Sequence, residues 1–109
     1  MKNAFTGCPK LDIDTSVFQL SGDCSEAFYN TGITRLVIND AGITSMLRIA
    51  DAGAFTTKTL QEVVINGTLN KCTDFTLAFN GNTGLNKCDM SGVDFGKARS
   101  INGIFSRCR

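Results

Sequence analysis

Glu62-Val63-Val64-Ile65-Asn66 has the composition of a short strand, with three β-branched residues in a row and then an Asn that favours a turn. The same arrangement occurs three more times. Leu11-Asp12-Ile13 precedes Asp14, Leu36-Val37-Ile38 precedes Asn39, and Cys88-Asp89-Met90 precedes Ser91, the four triplets stepping by 25, 27 and 25 residues. Flanking side chains alternate with the period of two that marks a strand. A second landmark keeps the same step. Phe5, Phe28, Phe55, Phe79 and Phe105 are separated by 23, 27, 24 and 26 positions, and the residue before each is small or apolar: Ala4, Ala27, Ala54, Ala78 and Ile104. Cys24, Phe75 and Ile101 stand four places before their Phe, with Asp51 as the exception. Spacings of one, three and four predict that each copy carries a short helical turn anchored by its Phe.

A strand this short cannot bury its apolar face alone, whereas stacked copies about 4.8 Å apart complete one core. The expected fold is therefore an α/β repeat. It is a leucine-rich-repeat-like solenoid, with one short parallel strand and one short helical turn in each repeat of roughly 25 residues. Residues 1–109 form a single solenoid domain of about four repeats plus a partial terminal one.

Composition agrees with one globular domain: 109 residues, 42% hydrophobic and 19% charged. The net charge of +1 gives no overall field to recruit nucleic acid or an anionic membrane, and no apolar run approaches the roughly 20 residues of a membrane span. The opening Met1 to Lys10 lacks the basic start and apolar core of a secretory signal. The absence of His removes the usual general base and the His-dependent nucleophile pairs and zinc sites, so no enzymatic activity is expected.

The remaining chemistry-bearing patterns read as structure. Asp12 and Asp89 share a mid-strand position but lie on strands one and four, about 14 Å apart, beyond the separation of a glycosidase pair. Asp12-Ile13-Asp14-Thr15-Ser16 begins like a calcium loop, yet Val17 stands where Gly is needed and Asp23 where a Glu is usual, so no metal is expected. Asn80-Gly81-Asn82-Thr83-Gly84 lacks the ending of a phosphate loop and reads as a turn, as does the sequon Asn66-Gly67-Thr68. No cofactor is implied. Five Cys without a C-x-x-C pair do not form a closed framework. Cys8 and Cys108, about 19 Å apart in a four-step stack, cannot bond within one chain, and Cys88 takes an inward strand position. Lys97, Arg99, Arg107 and Arg109 make the C-terminal stretch basic, but no aromatic among them is expected to be exposed for base stacking, so no nucleic acid is expected.

Met1-Lys2-Asn3-Ala4-Phe5-Thr6-Gly7-Cys8 followed by Leu11-Asp12-Ile13-Asp14, and Ile101-Asn102-Gly103-Ile104-Phe105-Ser106-Arg107-Cys108, resemble the BspA-like leucine-rich repeat family of bacterial and protist surface proteins and some phage proteins. Thr56-Thr57 after Phe55 departs from its Gly-Cys element. The resemblance implies an adhesive or structural binding surface without catalysis. It suggests a cell-surface or secreted setting, with a phage fibre or decoration protein as the alternative.

On a solenoid the strand face is the usual contact surface. With Leu36, Val63 and Cys88 pointing inward, alternation exposes Arg35, Glu62 and Lys87 in one column and Val37, Val64 and Asp89 in the next. These six are the candidate binding residues for a protein or cell-surface ligand. Met1 to Cys8 and Ile101 to Cys108 fall at the same phase of the repeat, so both ends are expected to be open. Flanking repeats or neighbouring subunits would cover them.

Overall fold

The β-branched runs do form strands. In the computed structural model, which describes residues 2–6, 14–52, 60–96 and 98–104, the strands are β1 (Leu20–Asp23), β2 (Arg35–Ser45), β3 (Glu62–Asn66) and β4 (Lys87–Asp89). They pair in parallel in the order β1-β2-β3-β4. Leu36, Val63 and Cys88 stand in register, as do Val37, Val64 and Asp89. The triplet at Leu11 to Ile13 lies outside the described residues. β2 serves two partners along its length: its first half pairs with β3, and Asp40, Ile43 and Ser45 pair with Leu20, Gly22 and Asp23 of β1 across two irregularities.

The leucine-rich-repeat-like solenoid with helical turns is not the fold that forms. The chain is a small globule of 32 × 27 × 22 Å on a four-stranded parallel sheet, and helix accounts for 3% of the described residues. The one helical element among the described residues is the 3-10 turn Thr15–Val17. The expected helical turns at Phe5, Phe28, Phe79 and Phe105 hold a left-handed residue at Asn3, Glu26 and Leu77, with φ from 53° to 59°, and at Gly103 with φ 65°; Arg48, φ 51°, marks the same turn ahead of the expected position at Phe55. A left-handed L-residue costs roughly 1–2 kcal/mol and interrupts any α-helix. Two overlapping tight turns result, as in Ala27 N–H to Cys24 O and Tyr29 N–H to Glu26 O, both 3.2 Å.

Alternate amides then turn outward to the neighbouring segment and offset that cost. Cys24, Glu26 and Phe28 donate to the carbonyls of Ser45, Leu47 and Ile49 at 3.0, 2.9 and 2.8 Å. Met46, Arg48 and Ala50 donate to Asp74, Thr76 and Ala78, and Phe75, Leu77 and Phe79 to Ser100, Asn102 and Ile104. Asn3 and Phe5 donate to Ser25 and Ala27. These bonds correct the alignment of the Phe column, because Ala50 is the residue that stands between Phe28 and Phe79. Phe55, like Phe105, lies outside the described residues. A small residue suits the position: Ala50 is buried, in a core that also holds Phe28, Phe75 and Phe79.

Between the turns and the sheet lies the core, with Leu36, Ile38, Ile43, Met46, Ile49 and Val63 fully buried. Phe5 is half-buried and stacks on Phe28, with ring centroids 5.4 Å apart. Asn39, midway along β2, and Asn66, at the end of β3, form a side-chain ladder. Asn66 Nδ2 donates to Asn39 Oδ1 at 2.9 Å, and Asn39 Nδ2 to the carbonyls of Ser16 and Phe18 at 2.9 and 2.8 Å. The sequon residue Gly67 follows with φ +122°, where a Cβ would come within 2.7 Å of the Asp40 Cβ, so this turn admits only glycine without displacement.

Candidate functional site

Parallel pairing fixes the six candidate residues as two rows, Arg35–Glu62–Lys87 and Val37–Val64–Asp89. In the first row charge alternates. Arg35 Nε lies 3.1 Å from Glu62 Oε1, with the two side chains 52% and 33% exposed, and Lys87 is exposed beside them. Solvent screens such a pair, which contributes about 0–1 kcal/mol to stability and leaves both groups accessible to a partner.

The second row differs from its expected exposure. Val37 is only 4% exposed, because the 3-10 turn Thr15–Val17 covers it. Thr15, itself 1% exposed, accepts the Val37 N–H through Oγ1 at 2.7 Å. Alternation fails here because the sheet face is covered locally, a tertiary effect that strand periodicity cannot register. Val64 is half-buried and Asp89 exposed, so the accessible part of the face is Arg35, Glu62, Lys87, Val64 and Asp89. The covering turn presents Val17 instead, 72% exposed. Cys88 also departs from its expected inward place. β4 is exposed at all three residues, whereas the equivalent Leu36 and Val63 are fully buried.

No family model, curated protein or solved structure matches this chain.

Six aspartates accept hydrogen bonds from the backbone. Asp14, Asp23, Asp40, Asp74, Asp89 and Asp94 each accept the N–H two residues on, from Ser16, Ser25, Gly42, Thr76, Ser91 and Gly96, at 2.8–3.2 Å. This is the Asx turn, in which a carboxylate stands in for a backbone acceptor. Its signal in the sequence is the recurring Asp-x-[Ser/Thr/Gly], and the Asp14-Thr15-Ser16 stretch that opens like a calcium loop is one instance. The Ser16 hydroxyl and N–H hold the Asp14 carboxyl below its ordinary value, and Ser25 does the same to Asp23. Asp51, 2% exposed, pairs with Arg48 at 3.5 Å and accepts from Asn80 Nδ2 at 3.3 Å. Asp12 lies outside the described residues. Among those described, no three His, Cys, Asp or Glu side chains converge on one point.

Burial pushes the Cys72 thiol up to about 11, and it raises that of Cys24 as well. Both stay protonated near neutral pH and pack in the core as small apolar groups. Cys8 and Cys108 lie outside the described residues, as do Lys97, Arg107 and Arg109 of the basic stretch, while Arg99 is exposed. Among the described residues no helix is long and apolar enough to cross a membrane.

Proposed function

We propose that this protein is a non-catalytic binding or structural module that recognises a protein or cell-surface ligand through the exposed strand face. The observation that carries the proposal is the in-register row of Arg35, Glu62 and Lys87, held on a hydrogen-bonded parallel sheet with half-buried Val64 and exposed Asp89 in the next row. A rigid backbone sets the spacing of alternating charges before a partner arrives, which lowers the ordering cost of binding and favours a partner of complementary alternation. The carboxylates committed to Asx turns and the buried, protonated thiols support a structural assignment for the groups that could otherwise act as acids or nucleophiles.

An array of surface proteins and intact bacterial cells, probed with the parent chain and with Arg35→Glu/Lys87→Glu, tests this function. The parent is expected to retain at least one ligand that the charge-reversed variant loses at unchanged melting temperature. Equal binding by both, or no ligand for either, would contradict it.

A further inference from the structure

Asn-Gly occurs at Asn66-Gly67, Asn80-Gly81 and Asn102-Gly103. It is the dipeptide in which a backbone nitrogen most readily attacks the preceding side-chain amide, because glycine sets no Cβ against the approach. The fold treats the three pairs differently. Gly81 is buried, and Asn80 Nδ2 donates to Asp51 Oδ1 at 3.3 Å. Asn66 and Gly67 are both exposed, and among the described residues the Gly67 amide donates to no acceptor. Asn102 and Gly103 are exposed as well. Asn66 stands apart in what its amide supports. Its Nδ2 donates to Asn39 Oδ1 at 2.9 Å, and Asn39 Nδ2 in turn donates to the carbonyls of Ser16 and Phe18 at 2.9 and 2.8 Å. Those carbonyls belong to the 3-10 turn that covers Val37 and to its C-cap.

We infer that Asn66 is a site of spontaneous deamidation, and that its conversion to a carboxylate releases the Thr15–Val17 turn from the sheet. The Gly67 nitrogen, on losing its proton, attacks Asn66 Cγ. The new N–C bond forms as the Cγ–Nδ2 bond breaks, and Nδ2 leaves as ammonia with that proton. Water then opens the cyclic imide at either carbonyl, giving an aspartyl or isoaspartyl residue with no change of oxidation state. Either product removes the donor that Asn39 Oδ1 accepts and sets a carboxylate against it. Asn39 relieves this contact by turning its amide over, which gives its Nδ2 to the carboxylate and leaves the Ser16 and Phe18 carbonyls without their donor.

Peptide mapping by mass spectrometry, during incubation of the folded protein at mildly alkaline pH, tests the chemistry. Asn66 is expected to gain the mass of an amide-to-acid exchange, with isoaspartate at that position, while Asn80 keeps its amide. An Asn66 that stays an amide throughout, whether or not the exposed Asn102 converts, would overturn the proposal, and so would an Asn80 that converts as fast as Asn66. Amide exchange in two variants tests the consequence. The Val37 amide should exchange faster in Asn66→Asp than in the parent. It should stay protected in Asn66→Ala, which deletes the ladder bond but sets no charge against Asn39. A Val37 amide as slow in Asn66→Asp as in the parent, or as fast in Asn66→Ala as in Asn66→Asp, would refute the release of the turn. Neither readout involves a ligand, so the strand-face function stands or fails separately.

Discussion

Thr15→Val probes the contact that removes Val37 from the exposed face. The substitution keeps the shape of the side chain and deletes the Oγ1 that accepts the Val37 N–H at 2.7 Å, in a position 1% exposed. Leaving a buried N–H without an acceptor costs about 1–3 kcal/mol, and the added methyl returns up to about 0.8 kcal/mol. A net loss of up to about 2 kcal/mol follows, and each kcal/mol lowers the melting temperature by about 4–8 °C for a domain of this size. Circular dichroism is the assay for stability, since the chain has no Trp. Amide exchange is the assay for place: the Val37 amide should exchange faster in Thr15→Val and remain protected in Thr15→Ser, which keeps the hydroxyl. An unchanged melting temperature together with an equally slow Val37 amide would refute the claim that this hydroxyl holds the turn on the sheet.

Phe79→Ala should cost about 3–5 kcal/mol, because it empties a fully buried aromatic site; a urea midpoint within error of the parent would remove Phe79 from the core. Peptide-resolved thiol labelling at mildly alkaline pH should leave Cys24 and Cys72 unmodified until denaturant is added, since burial holds both protonated, Cys72 up to about 11. Because hydrogen bonds from Ser16 and Ser25 lower the Asp14 and Asp23 values in the folded state, their stabilisation is complete above the unfolded value of about 3.9 and is lost as pH falls through the folded values. Stability should accordingly fall with acid below about pH 4, less steeply in Asp23→Asn; a midpoint that rises on acidification would contradict this.

The sequence carried the strands better than the turns. Leu36-Val37-Ile38, Val63-Val64-Ile65 and Cys88 lie in register because β-branched runs at a near-constant step permit little else. The continuation of β2 to Ser45 was hidden by Asp40-Ala41-Gly42, which looks like a terminator but bridges to β1 through an Asx turn. The turns misled because side chains spaced by one, three and four residues share a side both in a helix and in two overlapping turns. The left-handed residue that separates the two is Glu26, Arg48 or Leu77, types with no marked preference for positive φ. In the third turn a conspicuous Phe55 drew the alignment five residues past the correct position at Ala50. Of the candidate site, exposure at Arg35, Glu62 and Lys87 was legible from alternation. The burial of Val37 was not, since it depends on a hydroxyl 22 residues away.

Scalar couplings across hydrogen bonds, measured by NMR between amide nitrogens and carbonyl carbons, test the stacked-turn architecture most directly. Couplings from Phe28 N to the Ile49 carbonyl and from Ala50 N to the Ala78 carbonyl are expected, matching bonds of 2.8 Å in both cases. Couplings from Phe28 and Ala50 to the carbonyls four residues before them, Cys24 and Met46, would mean helical turns and would contradict the account.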